Sequence, residues 1–322
     1  MSDQTVQTAI DKRKKLFEDP TTSAFRLFHG HGDGDPRWDA EWFGGVIVLY
    51  VYVDMGNDLP KVLKTLKEST QPVSIWVKDR WRKDQSEEST KGWLADGEPV
   101  PDKLQVLERG IHFVVEPKRG FNSGLFLDAR PAREKIRTLG ANHTIVNLFS
   151  YTGSLGVAGC MGGASEVLHV DSQSALLHRI RDNHLLNDLP YDDRMFLCSD
   201  AYRFLKKARK GGRKWSMIIL DPPPQVAPKG QRRNNRGQDF KTLIPLALPS
   251  LEQGGLLITF LNRRDISTEE HLNTVQVAGK GNSLSLAWSL ESGEDFPEDG
   301  KGKKLRVLAF QKHLPSEGSE HH

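Results

Sequence analysis

Residues 145–171 read IVNLFSYTGSLGVAGCMGGASEVLHVD, and the reading of this stretch decides the fold. Ile145 to Phe149 is an apolar run of strand length, too short for a helix. The turn Ser150-Tyr151-Thr152-Gly153-Ser154 follows, then a segment rich in small residues suited to close packing. A second apolar run, Val167 to Val170, ends on Asp171. A glycine-bearing turn after one strand, with a carboxylate closing the next, is the skeleton of a nucleotide-type cofactor site. Gly153 has no Cβ, so its backbone can approach a ligand, and Asp171 is placed to accept hydrogen bonds from two ribose hydroxyls. The dinucleotide fingerprint G-x-G-x-x-G is absent. A cofactor with a ribose but no pyrophosphate fits better than a dinucleotide.

Strands and helices alternate from this stretch onward. Strands are expected at 145–149, 167–171, 195–198, 215–220 and 256–261, with an antiparallel pair at 284–290 and 305–311. Helices are expected at 131–139, about 155–161, 174–187, 201–210 and 239–251. This alternation predicts an α/β fold with a doubly wound, mostly parallel sheet. Such sheets bind ligands at the carboxyl ends of their strands. Thr152, Asp171, Asp200 and Asp221 all fall at that edge. Asp221-Pro222-Pro223-Pro224 follows the buried run WSMIIL, and proline forces the chain out of the sheet there. Such a bend holds Asp221 rigidly beside the cleft.

Upstream, residues 1–24 read as a helical arm built on Val6, Ile10 and Phe17 and stopped by Pro20. Residues 25–118 read as a small α+β domain: a strand over 44–53, an amphipathic helix over 57–69, a strand over 73–77 and a hairpin over 104–115. Between them, 78–102 reads as a charged, flexible segment. A linker at 116–120 leads to the larger domain, 119–322. His29, His31 and His112 with two aspartates match no common metal site, so no metal is expected. The chain has 322 residues, 37% hydrophobic and 27% charged, and two cysteines, a composition that predicts a soluble, cytoplasmic protein without disulfides. Net charge is only +3, but cations cluster at 206–214, 229–236 and 263–264.

Several motifs, matched in order, carry a family resemblance: FRLFHGHGDGDP, SGLFLDARPAR, NLFSYTGS, VDSQSALL, DAYRFL, DPPP and GGLLITFLNRRDIS. Together they resemble the class I S-adenosylmethionine-dependent methyltransferases, and within them the ribosomal RNA large-subunit methyltransferases of the I and K/L type. The resemblance runs from Phe25 to the C-terminus. It implies a seven-stranded, Rossmann-like methyltransferase sheet preceded by a small domain that helps to grip RNA. The family's N-terminal PUA module is not expected, since about 24 residues precede Phe25. Carried over by position, the resemblance implies that Phe149, Ser150, Tyr151, Thr152 and Gly153 wrap the methionine part of S-adenosylmethionine. Asp171 would bind the ribose with Ser172 beside it, and Asp200 and Ala201 would meet the adenine. Phe126, Asp128 and Arg130 would close the cleft. Asp221, Pro222, Pro223 and Asn262 would line the place where base and methyl group meet.

Methylating C5 of cytosine needs a thiolate to attack C6. In that branch the cysteine follows the strand read here as LLITF, where this chain has Leu261-Asn262-Arg263-Arg264. Cys160 and Cys198 read as packing residues. Asn262-Arg263-Arg264 resembles instead the K-type, guanine-N7 branch, whose target lone pair needs alignment rather than a base. Gln225 stands where the family usually carries an aromatic residue. Lys229, Arg232, Arg233, Arg236, Arg263 and Arg264 are the expected RNA contacts, with large-subunit rRNA the expected partner. Five tryptophans (Trp38, Trp42, Trp76, Trp81 and Trp93) are candidates to stack on bases, though most of them read as core or turn residues. The alternatives are a methyltransferase for another RNA or planar substrate, and a non-catalytic protein binding S-adenosylmethionine or RNA.

Overall fold

The computed structural model describes residues 3–82, 91–120, 122–224, 239–263, 265–279, 283–298 and 305–313. The chain divides into two compact units, Met1–Arg130 with Ser292–Lys303, and Pro131–Glu291 with Lys304–His322. The sequence placed the boundary at 118/119 and gave 1–24 to a separate arm. The division instead falls at Arg130/Pro131, and the first helices join the small unit. Val6, Ala9, Ile10 and Leu16 are buried there with Phe25, Leu27 and Phe28.

In the small unit, α1 (Asp3–Lys12) and α2 (Lys14–Glu18) replace the single helix expected. The break falls at Arg13, whose buried guanidinium grips both oxygens of Asp33 at 2.9 and 2.6 Å. Next come β1 (Ala24–His29), β2 (Trp38–Phe43), β3 (Val46–Val51), α3 (Asp58–Thr70), β4 (Ser74–Asp79) and β5 (Trp93–Gly97), forming a sheet in the order β1-β2-β3-β4-β5. The β3–β4 pair is parallel and the others antiparallel. A hairpin of β6 (Leu104–Glu108) and β7 (Ile111–Val115) turns through Arg109 and Gly110, both at positive φ. One face of the five-stranded sheet is apolar, with Leu27, Ala40, Leu49 and Val77 in the core. The other carries charge: Arg26 pairs with Asp39 at 3.0 Å and Glu41 at 3.2 Å. Strand β5 corrects the expectation of a flexible stretch over 78–102.

The second unit starts with α4 (Arg130–Leu139), whose first residue is the last of the small unit. Then follow β8 (Thr144–Leu148), α5 (Ser154–Met161), β9 (Glu166–Asp171), α6 (Leu177–Leu185), β10 (Phe196–Cys198), α7 (Ala201–Lys210), β11 (Trp215–Leu220), α8 (Phe240–Ala247), β12 (Leu251–Asn262), α9 (Thr268–Ala278), β13 (Ser283–Glu291) and β14 (Leu305–His313). They build the seven-stranded sheet β10-β9-β8-β11-β12-β14-β13, parallel except at β14, as the alternation implied. Val146, Leu148, Val170, Leu220 and Leu257 pack from one face against Phe204, Leu205, Leu243 and Ile244 of α7 and α8. The helix expected over 239–251 ends at Ala247, and Leu251 already pairs with Trp215 in the sheet. Pro249 favours that early stop. Among the described residues no helix is long and apolar enough to cross a membrane.

Candidate active site

Between β8 and α5 the chain turns through Phe149–Gly153. Phe149, Tyr151 and Gly153 have φ of +60°, +49° and +80°. Glycine adopts this region freely, whereas each aromatic residue gives up about 1–3 kcal/mol there. The surroundings hold the turn. The Ser150 amide donates to Val170 O at 3.1 Å and the Gly153 amide to Ser150 O at 2.8 Å. Asn183 Nδ2 donates to Thr152 O at 2.9 Å, and Arg179 Nη1 to the Tyr151 hydroxyl at 3.3 Å. The Tyr151 amide donates to Asp171 Oδ2 at 3.0 Å, while Asp171 Oδ1 accepts from the Gln173 amide at 3.1 Å. Both carboxylate oxygens are therefore oriented by the backbone and keep further lone pairs.

Two histidines that sequence reasoning missed lie beneath this turn. His184 Nδ1 lies 3.2 Å from Pro190 O, an acceptor, so Nδ1 carries the proton. His184 Nε2 then accepts from His169 Nε2 at 3.0 Å. The His169 ring is fully buried and lies against Gly153 and Gly156. A β-carbon at Gly156 would stand 2.3 Å from its Cε1, which explains the glycine at this position of α5. A histidine inside the apolar run Val167–Val170 was the one signal available.

At the carboxyl edge of the sheet, Asp200 caps α7 by accepting from the Arg203 amide at 3.0 Å, with Ala201 buried behind it. Ser172 is exposed, and its carbonyl accepts from the Cys198 thiol at 3.5 Å. Asp221 is half-buried after β11, Pro222 is buried and Pro223 exposed. Asn262 closes β12, and its Oδ1 is buried with no hydrogen-bond partner among the described residues. Burial pushes the Cys160 thiol up to about 12, which removes it as a nucleophile at neutral pH.

A sequence model of S-adenosylmethionine-dependent methyltransferases matches residues 25–311. The chain belongs to this family. It is 32% identical over 260 residues to ribosomal RNA large subunit methyltransferase I of Escherichia coli O139:H28, covering 79% of this chain and 65% of the relative. The same protein from Shigella dysenteriae serotype 1 matches equally, with 64% of its length covered. The chain thus spans about two thirds, 65%, of the length of the first of these relatives. Among solved structures, a candidate SAM-dependent methyltransferase from Streptococcus mutans superposes with a TM-score of 0.85 at 22% identity, covering 96% of this chain and 80% of the other. A tRNA m1G37 methyltransferase from M. jannaschii gives 0.57 at 14% identity, covering 97% and 79%. These last two likenesses bear on the fold alone.

S-adenosylmethionine is the cofactor of this methyltransferase family. The second unit brings Phe149–Gly153, Asp171, Ser172, Asp200, Ala201, Asp221, Pro222, Pro223 and Asn262 to one sheet edge. Phe126, Asp128 and Arg130 belong to the small unit. Phe126 is 42% exposed and Asp128 half-buried, but Arg130 is buried and its Nη2 donates to Asp295 Oδ1. Arg130 is thus committed to a protein carboxylate that the sequence reading did not single out. Arg263 is similarly engaged, with Nε donating to Asp265 Oδ1 at 2.9 Å. Lys229, Arg232, Arg233, Arg236, Arg264 and Gln225 lie outside the described residues. Trp38 is fully buried on Phe28, and Trp42 packs on Phe17 and Phe25, so both serve the core rather than bases. A cavity of about 770 Å³ lies in the second unit away from these residues, lined by Lys241, Pro245, Leu248 and Val277 on α8 and α9 and beside them.

Proposed function

We propose that this methyltransferase transfers a methyl group from S-adenosylmethionine to a base nitrogen of large-subunit rRNA, with guanine N7 the favoured atom. The observation that carries the choice of a nitrogen is the end of β12. Asn262 stands there, and neither cysteine does. Activation of C5 of cytosine by a thiolate therefore has no donor at the end of β12; the thiol of the sheet edge, Cys198, closes β10 beside Ser172 instead.

The residues of the second unit fit the cofactor. Asp171, oriented by two amides, presents remaining lone pairs to a pair of ribose hydroxyls. The Ser150 hydroxyl is buried without a partner among the described residues, and the turn at Gly153 leaves no room for a side chain. In this reading the Phe149–Gly153 turn holds the methionine part, Asp171 and Ser172 the ribose, and Asp200 and Ala201 the adenine. When bound, the cofactor supplies a sulfonium methyl group open to attack by a lone pair. Guanine N7 already carries such a lone pair, so the protein's part is alignment in a dry pocket rather than proton removal. Asp221, Pro222 and Pro223 form the rigid wall, and the Asn262 carboxamide supplies a buried acceptor that can read a donor edge of the base.

RNA as the substrate is supported by the named relatives and by the small unit's exposed rings. Trp81 and Trp93 are 39% and 41% exposed, and the Arg82 guanidinium lies 5.5 Å from the Trp81 ring centre. Aromatic faces beside cations suit unpaired bases. Nucleoside mass spectrometry of large-subunit rRNA treated with the protein and S-adenosylmethionine tests the reading. A gain of 7-methylguanosine is expected, and a gain of 5-methylcytidine instead would sink the nitrogen assignment.

A further inference from the structure

We propose that Arg179 and Asn183 of α6 are positioning residues that hold Tyr151 and Thr152, and with them the Phe149–Gly153 turn, in the shape that receives S-adenosylmethionine. The inference rests on the reading that this turn seats the methionine part of the cofactor. Every residue it uses belongs to the second unit.

Helix α6 packs with its polarity reversed. Its buried face carries Arg179, Ile180, Asn183 and His184, whereas Leu185 is 52% exposed. A buried face is ordinarily apolar, because a guanidinium and a carboxamide taken out of water cost stability unless partners replace the lost hydration. The partners lie in the turn. Arg179 Nη1 donates to the Tyr151 hydroxyl at 3.3 Å, and its guanidinium carbon lies 5.6 Å from the centre of that ring. One helical turn further on, Asn183 Nδ2 donates to Thr152 O at 2.9 Å. Between them Ile180 packs under Gly153, where its Cγ1 would stand 3.1 Å from an added β-carbon. One face of α6 thus meets Tyr151, Thr152 and Gly153 in succession.

These contacts set the direction of peptide planes. Tyr151 and Gly153 both sit at positive φ, and the tyrosine side chain disfavours that region. The plane joining Thr152 to Gly153 is held at both edges, by Asn183 on its carbonyl and by Ser150 O on its amide at 2.8 Å. The plane joining Ser150 to Tyr151 is held likewise. Its carbonyl accepts that same Gly153 amide, and its own amide donates to Asp171 Oδ2 at 3.0 Å. Of these three bonds, one lies within the turn, one comes from the end of β9 and the third comes from α6. Removing the Asn183 donor loosens the carbonyl edge of the Thr152–Gly153 plane, and with it the backbone that the cofactor meets. What α6 supplies in return for burying polar groups is direction, since each hydrogen bond tolerates only a narrow geometry.

The test uses the full chain with Asn183→Ala, Asn183→Asp and Arg179→Lys. Asn183→Asp keeps the volume but sets a carboxylate oxygen against Thr152 O, and Arg179→Lys keeps the charge but loses the planar fork. Calorimetric titration with S-adenosylmethionine, well below the melting temperature, should show binding about tenfold weaker in Asn183→Ala and at least as weak in Asn183→Asp. Arg179→Lys should weaken it about threefold, with no further loss when Tyr151→Phe is added, because both changes remove the same bond. In turnover the defect should appear in KM for S-adenosylmethionine and vanish from kcat at saturation. Variants that melt at a lower temperature but bind with the parent affinity would overturn the proposal. Gly153→Ala, which strains the turn directly, separates the two levels. If it weakens binding while the α6 variants do not, α6 only packs and the site reading stands. If only the α6 variants weaken binding, the effect does not run through the turn and the proposal fails. If every variant binds normally, the reading beneath it fails.

Discussion

At Gly156 a hydrogen is the largest substituent the packing accepts. An added β-carbon would meet His169 Cε1 at 2.3 Å and Nδ1 at 2.9 Å, and the ring cannot retreat because it is fully buried and bonded to His184. Gly156→Ala should therefore lower stability by about 1–3 kcal/mol, the usual range for overpacking, despite alanine's better helix propensity. A thermal melt checks this, and a rise in melting temperature would show that the ring can move. Gly153 is constrained twice, by its φ of +80° and by the same ring at 3.0 Å. The side chain that limits both positions is a histidine on the neighbouring strand, so these glycines and the turn share one cause.

Between elements, the hydrogen bond from His169 to His184 ties β9 to α6 under the Phe149–Gly153 turn, and its chemistry sets a pH dependence. Burial pulls the His169 ring down to about 3, and burial also lowers His184. In the unfolded chain both take up protons near 6.5. The unfolded state thus binds more protons below that pH, so the stability is fully present above about 6.5 and is lost as pH falls toward about 3. The melting temperature should drop between about pH 6 and pH 4, and less steeply in a His184→Asn variant. Equal slopes in the two proteins would assign the acid loss to other groups. The elements themselves were legible to different degrees. The buried parallel strands of the second unit read directly as apolar runs between helices. Strand β2 was not singled out, although Trp38-Asp39-Ala40-Glu41-Trp42 alternates, because its carboxylates read as a charged loop, whereas here they pair with the half-buried Arg26. The helix break at Arg13 was hidden for the same reason, its partner Asp33 being 20 residues away. The turn at Phe149–Gly153 and the acidic strand end at Asp171 were legible because both follow from local sequence. The tie from Arg130 to Asp295 spans 165 residues and leaves no local trace.

At the scale of the molecule, the topology explains that long tie. The chain leaves the seven-stranded sheet after β13, gives Ser292–Lys303 to the small unit, and returns as β14. The small unit thus takes in a segment that lies between β13 and β14 in sequence, and Asp295 is the contact through which it meets Arg26 and Arg130. The second unit supplies the turn, the carboxylate and the strand edge that the family reading requires. The central claim is that Phe149–Gly153 and Asp171 form the seat of S-adenosylmethionine. Calorimetric titration of the full chain and of Asp171→Ala tests it most directly. Saturable one-to-one binding is predicted for the parent protein, with at least about tenfold loss in the variant, since charge-assisted hydrogen bonds to the ribose would be removed. Equal affinity in the two proteins would contradict the account.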